Sequence, residues 1–427
     1  MSPVASGTVT IPGSKSVTHR AFLLAAQSNT PCLVRNPLLS ADTTATLRAL
    51  GDLGARFTLE EGNVAFQPAP LHPPAKALDL DNAGTGLRLL TGLAARFGVP
   101  VTLTGDESLV SRPNGPLLAA LQDLGVRVEA REGGRAPFTV TGPLRPGTAR
   151  LPAAASSQYA SALLLNLPFV AGDSTVELAA PVHSSPYLDL SLDAAAAFGL
   201  RLDEQEAETA GRTFHVPGGQ TTAAARFDVE GDWSTAAFPL VAAAITGGDL
   251  TAKGLLPESR QGDRAITELL ASFGATVDVA SDHVRVRSDG ALESPGIVDV
   301  SATPDLFPIL TVLAACSRGT TTFVGGGQLR HKESDRISGM AKGLAAMGVA
   351  VEEQEEGLIV HGAPGQLRGA TVASLDDHRL HMAFAIAGLV AEGPVHVDAP
   401  DCVKVSYPAF HADLARLTGR PIPEVAA

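Results

Sequence analysis

The sequence predicts an α/β (α+β) protein of two domains, each built from three copies of a unit with four strands and two helices. Three observations support this fold class. The chain has 427 residues, which is too long for a single domain with one hydrophobic core. A polar helix start followed by a small-residue apolar helix recurs six times, about every 70 residues. Between these copies, an amphipathic helix with a glycine stop runs into a strand.

The first copy predicts an anion site. A strand over residues 8–11 and a turn over residues 13–16 precede an apolar helix that continues from residue 21. Such a turn exposes backbone N–H groups and the positive end of the helix dipole, and Lys15 and Arg20 add two positive charges. The spacing of a Walker P-loop is absent. A solvated basic helix start remains the alternative.

The later copies repeat this pattern along the chain. The six polar starts lie at Ser16, Asn82, Ser156, Asp232, Thr303 and Asp376. The segments between them, each an amphipathic helix with a glycine stop that runs into a strand, cover residues 47–57, 117–128, 192–202, 266–277 and 340–351. Alternating apolar residues predict hairpins over 56–66 and 276–286, and residues 407–417 predict a truncated sixth copy.

Six units are best divided into two domains of three units each. We predict a first domain over residues 14–230 and a second over residues 1–13 plus 231–427. The first strand precedes the first helix, so we assign it to the second domain. The active site is expected in the cleft between the two domains.

Composition excludes several classes of function. The net charge of −13 argues against a nucleic-acid surface. Apolar runs reach only about half of the roughly 20 residues that cross a bilayer, and we expect neither a membrane segment nor a secretory signal. Three cysteines without close spacing predict a reducing compartment, no disulfide framework and no metal site. We therefore expect a cytoplasmic protein.

The polar starts have two interpretations. Ser, Thr, Asp and Asn are the preferred N-caps of helices, so capping alone explains many of them. Capping does not require the additional groups at these starts, which are Lys15, Arg20, Gln158, His378 and Arg379. If the starts face one cleft, these groups attract anions.

Taken together, nine motifs resemble one known family. They are Pro12-Gly-Ser-Lys-Ser with Arg20, Asn82-Ala-Gly-Thr with Arg88, Arg112-Pro, Ser156-Ser-Gln, Ser184 with Pro186-Tyr187, Pro304-Asp305, Lys332-Glu-Ser-Asp-Arg336, Asp377-His-Arg379 and Lys404. In this order and spacing the set closely resembles the 5-enolpyruvylshikimate-3-phosphate synthases (3-phosphoshikimate 1-carboxyvinyltransferases), enolpyruvyl transferases, along the whole chain. The resemblance implies a two-domain inside-out α/β barrel.

The resemblance also implies the reaction. The enolpyruvyl group of phosphoenolpyruvate is transferred to the 5-hydroxyl of shikimate 3-phosphate, and phosphate is released, as part of chorismate and aromatic amino acid biosynthesis. No cofactor and no metal are expected, the partners are these two small molecules, and we expect a monomer. The family is the target of glyphosate.

Site roles follow from the resemblance position by position. The catalytic residues are expected to be Asp305 as base, Glu333 as proton donor, and Lys15. Shikimate 3-phosphate is expected to contact Lys15, Ser16, Arg20, Ser156, Ser157, Gln158, Ser184, Tyr187, Asp305, Gln328 and Lys332. Phosphoenolpyruvate is expected to contact Lys15, Gly84, Arg112, Gln158, Arg336, Arg379 and Lys404. Supporting positions are Asn82, Thr85, Asp232 and His378.

Two rival interpretations remain. The sister enzyme that uses UDP-N-acetylglucosamine shares the fold and the donor, but it usually carries a Cys in the loop near Arg112, where this chain has Ser111. A non-catalytic anion-binding protein on the same scaffold is the second rival. The carboxylates Asp305 and Glu333 argue against it, because they would weaken the binding of anions.

Overall fold

The computed structural model describes residues 3–153, 156–182, 184–205 and 211–419. Its strands are β1 Gly7–Thr10, β2 Cys32–Arg35, β3 Arg56–Glu60, β4 Asn63–Gln67, β5 Leu78–Asp79, β6 Pro100–Thr104, β7 Arg127–Arg131, β8 Arg135–Thr141, β9 Thr148–Leu151, β10 Ser174–Ala179, β11 Asp203–Gln205, β12 Gly211–Val216, β13 Arg226–Asp228, β14 Asp249–Lys253, β15 Thr276–Val279, β16 His283–Arg287, β17 Ile297–Asp299, β18 Thr320–Val324, β19 Ala350–Gln354, β20 Gly357–His361, β21 Thr371–Val372 and β22 His396–Val397.

Helices alternate with these strands. They are α1 Lys15–Ala25, α2 Ala41–Asp52, α3 Gly84–Ala94, α4 Glu107–Ser111, α5 Gly115–Asp123, α6 Ser157–Leu164, α7 Pro186–Ala197, α8 Trp233–Thr246, α9 Ile266–Ser272, α10 Phe307–Ala315, α11 Arg336–Ala346, α12 His378–Ala387 and α13 Phe410–Thr418. Several predicted site residues and their neighbours lie in short 3-10 helices, which are Gly262–Ala265, Pro304–Leu306, Gly327–His331 and Pro400–Val405. No helix among the described residues has the length and apolar character needed to cross a membrane.

The chain divides into two compact units, Gly13–Val229 and Met1–Pro12 with Glu230–Ala427. The unit Gly13–Val229 contains three four-stranded sheets, in the orders β13-β2-β4-β3, β5-β6-β8-β7 and β11-β12-β10-β9. One pair in each sheet is parallel, namely β13 with β2, β5 with β6 and β9 with β10, and the remaining pairs are antiparallel. The three sheets therefore share one topology, as expected for copies of one unit.

The other unit repeats this topology with one shorter copy. Its sheets have the orders β1-β14-β16-β15 and β17-β18-β20-β19, with β21-β22 as a two-stranded pair. β1 pairs in parallel with β14, in the register Gly7 to Leu250. The sixth copy departs from the predicted four strands, because after β22 the chain forms the 3-10 helix Pro400–Val405 and then α13.

Each unit has its own core around three apolar helices. In the unit Gly13–Val229, α3 contacts both α1 and α6, and in the other unit α8, α10 and α12 contact one another. All residues of α10 and all but the last residue of α8 are buried. A helix that is apolar on every side is stable only inside a core. The sequence pattern therefore places these six helices centrally in their units.

Candidate active site

The start of α3 holds two convergent guanidinium groups. A Cβ atom built on Gly84 would lie 3.1 Å from Arg112 Nη1 and 3.3 Å from Arg88 Nη1. Arg112 is buried, and its Nη2 donates hydrogen bonds to Asn82 Oδ1 and to Ser108 Oγ, the latter at 3.1 Å. Two positive charges at a helix N-terminus, without a side chain between them, form an anion-binding geometry.

Gln158 joins the start of α6 to the start of α3. Arg88 Nη1 donates to Gln158 Oε1, and Gln158 Nε2 donates to Thr85 Oγ1 at 3.1 Å. Arg88 is also held through Nε, which donates to Asn114 Oδ1 at 3.0 Å. We call the residues around these contacts the α3 cluster, which comprises Asn82, Gly84, Thr85, Arg88, Arg112, Asn114 and Gln158. The motif that contains Arg88 assigned it no site role, whereas in the structure its guanidinium group contacts both Gln158 and Asn114.

Arg20 is surrounded by oxygen acceptors inside the same unit. Its guanidinium donates to Ser16 O at 2.8 Å, Tyr187 O at 2.8 Å, Ser191 Oγ at 2.9 Å and Ser161 Oγ at 3.2 Å. Arg20 is only 1% exposed, and this burial lowers its pKa to about 10. The contacts tie α1 to α6 and α7. Most donors of Arg20 are therefore committed to positioning the helix starts.

Serines close to Arg20 are also buried. Ser157 is the first residue of α6, and its carbonyl accepts a hydrogen bond from Ser161 Oγ at 2.9 Å. Ser184 is buried with a positive φ of 53°, and its carbonyl accepts from Tyr187 N at 3.1 Å. We call Ser16, Arg20, Ser157, Ser161, Ser184, Tyr187 and Ser191 the serine–arginine cluster.

Lys15, the first residue of α1, pairs with a buried acid. Its Nζ lies 3.0 Å from Asp42 Oδ2, and the two side chains are 15% and 7% exposed. Asp42 lies in the first turn of α2, where a carboxylate interacts favourably with the helix dipole. Asp42 was not predicted from the sequence, because its separation of 27 residues from Lys15 carries no periodic signal.

In the other unit, Arg336 binds three carboxylates. Its Nη1 donates to Asp305 Oδ1 at 2.8 Å, its Nη2 to Glu333 Oε2 at 2.7 Å, and its Nε to Asp377 Oδ2 at 2.8 Å. Arg336 is 1% exposed and Asp377 is fully buried. Burial by itself would lower the pKa of Arg336, but the three carboxylates raise it above its usual value.

Asp305 is held by a second arginine. Arg379 Nη2 donates to Asp305 Oδ2 at 2.9 Å. Burial alone would raise the pKa of Asp305, but Arg379, Lys332 and Arg336 outweigh burial and hold that pKa well below its usual range. Burial lowers the pKa of Lys332, although Asp305 partly opposes this effect. We call Asp305, Lys332, Glu333, Arg336, Asp377 and Arg379 the carboxylate–arginine cluster.

N-capping accounts for some of the polar starts. Asp377 caps α12 by accepting from Arg379 N at 2.9 Å, and Asp232 caps α8 by accepting from Thr235 N at 2.8 Å. Ser156 caps α6 through Gln158 N at 3.4 Å. Asp305 is not a cap, because it lies inside the 3-10 helix Pro304–Leu306 and faces two arginines. N-capping therefore does not explain the presence of Asp305 at this helix start.

The same unit contains three further predicted residues. His378 is 1% exposed, with Nδ1 4.0 Å from Asp377 Oδ1. Gln328 Nε2 donates to Ser301 O at 3.0 Å. Lys404 Nζ lies 2.7 Å from Asp401 Oδ1, and the Lys404 side chain is 63% exposed. This contact joins Lys404 to an acid that is not part of the carboxylate–arginine cluster.

The acidic and sulfur side chains provide no metal-ligand group in the described ranges. No set of three or more His, Cys, Asp or Glu side chains there is arranged to hold a metal ion. Cys32, Cys316 and Cys402 are buried, and burial raises their pKa to about 11, about 12 and about 12. These thiols are therefore poor nucleophiles at neutral pH.

Comparison with known proteins gives one consistent result. The family model for EPSP synthase (3-phosphoshikimate 1-carboxyvinyltransferase) matches residues 2–414. A 3-phosphoshikimate 1-carboxyvinyltransferase of Methanocorpusculum labreanum is 41% identical over 415 residues, which cover 96% of each chain. One from Methanothrix thermoacetophila is 42% identical, again over 96% of each chain.

Solved structures agree with the sequence relatives. An EPSP synthase from Acinetobacter baumannii superimposes with a TM-score of 0.81 at 30% identity, covering 99% of this chain and 97% of that one. A second structure of EPSP synthase from the same organism gives a TM-score of 0.79 at 29% identity. The predicted two-domain α/β fold class is confirmed by these neighbours.

Proposed function

Because this chain belongs to the EPSP synthase family, we propose that its three clusters serve one reaction. The chain is a transferase of the shikimate pathway that moves a 1-carboxyvinyl group to shikimate 3-phosphate. The donor in the proposal is phosphoenolpyruvate, the acceptor is the 5-hydroxyl, and the products are 5-enolpyruvylshikimate 3-phosphate and phosphate. What the proposal adds is a role for each cluster.

The serine–arginine cluster is proposed to bind the phosphate and ring of shikimate 3-phosphate. Ser157 and Ser184 supply hydroxyls there, joined by Ser156, while Arg20 fixes Ser16 and Tyr187 through their carbonyls. Gln328 and Lys332, which belong to the other unit, are also proposed to bind this substrate. A phosphate with several oxygen acceptors is bound best by hydroxyl and cationic donors that are already fixed in place.

The α3 cluster is proposed to bind the phosphate of phosphoenolpyruvate. Arg112 and Arg88 converge over Gly84, and Gln158 is anchored to both Arg88 and Thr85. Lys15 is proposed to reach both substrates, which accounts for a semi-buried ammonium group whose counterion is Asp42. Arg379, Arg336 and Lys404 are proposed to bind the donor as well.

The chemistry is carried by the contact of one carboxylate with two arginines. Asp305 bonds to Arg336 and Arg379 at 2.8 and 2.9 Å, as a substrate carboxylate would. When the carboxylate of phosphoenolpyruvate takes these donors, Asp305 loses partners that hold its pKa low. Its proton affinity then rises, and it can accept the proton of the 5-hydroxyl.

The remaining proton moves to and from carbon. Glu333 is proposed to carry a proton once the substrate carboxylate has taken Arg336 from it, and it gives this proton to the methylene carbon as the hydroxyl oxygen bonds to the central carbon of phosphoenolpyruvate. In the elimination half, the new methyl group returns a proton to Glu333 and the double bond reforms. The carbon–oxygen bond to phosphate breaks, and the leaving phosphate takes the proton that Asp305 received from the hydroxyl. Arg336 Nη2 donates a hydrogen bond to Glu333 Oε2 at 2.7 Å, and Glu333 directly follows Lys332 in the sequence. The proposed proton donor and two cations proposed to bind the substrates therefore lie within one segment of five residues, 332–336.

We further propose a cytoplasmic enzyme that acts as a monomer. Its three cysteines are free thiols, as is usual for proteins of a reducing compartment. Light scattering on the purified protein tests the monomer.

A phosphate-release assay tests the function. Release is expected only when shikimate 3-phosphate and phosphoenolpyruvate are both present, and omission of either one is the control. Release with UDP-N-acetylglucosamine and phosphoenolpyruvate would overturn the proposal in favour of the sister reaction. Binding of both anions without phosphate release would favour a binding protein instead.

A further inference from the structure

A further acid lies near the carboxylate–arginine cluster. Asp263, in the 3-10 helix Gly262–Ala265, is 2% exposed. Its Oδ2 accepts a hydrogen bond from Ser234 Oγ at the start of α8, whereas Oδ1 has no hydrogen-bond partner among the described residues. Buried polar atoms are nearly always hydrogen-bonded. A buried carboxyl group that is only half satisfied therefore needs an explanation.

The packing brings this acid into the same electrostatic environment as Asp305. The 3-10 helices Gly262–Ala265 and Pro304–Leu306 both contact α8. The charged groups that act on Asp263 are Asp305 from the second of these 3-10 helices, Arg379 from α12 and Asp232 at the start of α8. Among them Asp305 has the largest effect.

Asp263 differs from an ordinary surface acid in its titration. Burial raises the pKa of Asp263 to about 7, and the negative charge of Asp305 acts in the same direction. The hydrogen bond from Ser234 and the charge of Arg379 oppose this rise. The side chain therefore changes charge in the neutral range, where most aspartates stay ionised.

We propose that Asp263 is a positioning residue for the transfer reaction, in which its negative charge opposes the arginines around Asp305 and strengthens Asp305 as the base. The interaction between two charges is reciprocal, so an ionised Asp263 raises the proton affinity of Asp305. The arginines make Asp305 a weak base, and a base works best when its proton affinity suits the working pH. This inference rests on the proposed function, and it adds a residue for which the sequence motifs gave no role.

A purely structural acid would behave differently. If Asp263 only anchored Ser234 at the start of α8, an isosteric amide could accept the same hydrogen bond. The pH dependence of the reaction would then stay unchanged. If its charge acts through Asp305, the rate must follow the ionisation of Asp263.

The test is the pH profile of kcat/KM for phosphoenolpyruvate in the full chain and in two variants. In the unaltered enzyme, kcat/KM is expected to rise with a midpoint near the pKa of about 7. Asp263→Asn should lose this rise and fall roughly tenfold below the unaltered enzyme on the alkaline side. Ser234→Ala should move the midpoint to higher pH, because the hydrogen bond that favours the ionised form is gone.

Either of two results would overturn the role of Asp263: an Asp263→Asn profile that overlays that of the unaltered enzyme, or a Ser234→Ala midpoint that stays in place. The substrate-free protein gives an independent readout through Trp233, the single tryptophan, which lies next to Ser234 and is fully buried. Its emission should titrate near neutral pH and lose that transition in Asp263→Asn. A protein that shows this transition but turns over no substrate would contradict the proposed function, while an active protein without it would contradict only Asp263.

Discussion

Arg336 Nη1 lies 2.8 Å from Asp305 Oδ1, and the arginine is 1% exposed. The same guanidinium also binds Glu333 and Asp377, and Arg379 holds the other oxygen of Asp305. Both carboxylate oxygens of the proposed base are therefore bound to guanidinium groups. The role proposed for Asp305 requires an exchange of these partners with a substrate carboxylate.

The first prediction concerns Asp305 as the base. Asp305→Asn keeps the shape of the side chain but cannot accept the hydroxyl proton. We expect turnover to fall by about 10²–10⁴-fold, the usual contribution of general base catalysis. Because Arg336 and Arg379 become freer to bind the donor, the affinity for phosphoenolpyruvate should stay equal or improve. Phosphate release gives the rate, and calorimetric titration gives the affinity.

A surface acid of the same unit serves as the control for this experiment. Asp282 is 76% exposed and pairs with His283, so Asp282→Asn should keep full turnover. If Asp305→Asn kept a rate near that of the control, another group would have to be the base.

The second prediction concerns the stability provided by Arg336. Arg336→Met leaves three carboxylates without their shared cation, and loss of one partner of a buried ion pair costs about 3–5 kcal/mol. We expect the free energy of unfolding to fall by that amount at neutral pH. Part should return as the pH falls, because the carboxyl groups without a partner become protonated in the fold. Urea denaturation at several pH values measures both effects.

Arg285 provides a matched comparison. It bonds to Asp249 through two nitrogens at 2.8 and 2.6 Å, but both side chains are nearly half exposed. Arg285→Met should change the unfolding midpoint little, since exposed ion pairs are weak. An equal loss of stability in both variants would contradict the importance of burial.

The sequence predicted the repeated architecture well because its signals are local. Glycine stops and apolar helix starts recur at regular spacing. The sequence did not indicate a partner for the first strand, which the structure pairs with β14. Contacts between distant residues were a different matter. Nothing in the spacing indicates that Lys15 meets Asp42 or that Arg20 meets Ser191, because these contacts depend on how three helices pack.

The same limit applied to the acids of the site. Asp305 and Asp377 both occur at helix starts, and the residue types alone cannot separate a cap from a base. Only the structure shows that Asp377 accepts a backbone N–H while Asp305 faces two guanidinium groups. Asp263 carried no motif, and its burial was invisible in the sequence.

The third prediction concerns Lys15. Lys15→Met removes the ammonium group that is proposed to contact both substrates, so KM should rise for each of them and turnover should fall. Lys76 offers a control in the same unit, because it also pairs with an aspartate, at 3.6 Å, but is 71% exposed. Lys76→Met should leave both KM values unchanged. Equal behaviour of the two variants in a steady-state assay would contradict a substrate contact for Lys15.

The fourth prediction concerns the pH dependence of stability. His381 and His411 lie 5.2 Å apart with perpendicular rings, and burial lowers the pKa of both. Below about pH 6.5 the unfolded chain takes up protons that the folded chain resists, so stability falls as the pH falls toward the folded pKa values. His411→Gln should make this fall shallower in urea denaturation between neutral and mildly acidic pH. His396 is exposed, so His396→Gln is the control and should leave the pH dependence of stability unchanged. If His411→Gln also left it unchanged, the buried histidines would not be the source of the pH dependence.

The fifth prediction concerns the absence of a side chain at Gly84. A Cβ atom there would lie 3.1 Å from Arg112 Nη1 and 3.3 Å from Arg88 Nη1, tighter than most such contacts. In Gly84→Ala the two guanidinium groups must shift by a few tenths of an ångström, which disturbs the proposed phosphate site. KM for phosphoenolpyruvate should rise several-fold, while KM for shikimate 3-phosphate should change little. Gly98→Ala is the matched control, since its added Cβ meets nothing within 4 Å. Equal changes in both KM values would place Gly84 outside the donor site, and separate kinetic titration of each substrate distinguishes these outcomes.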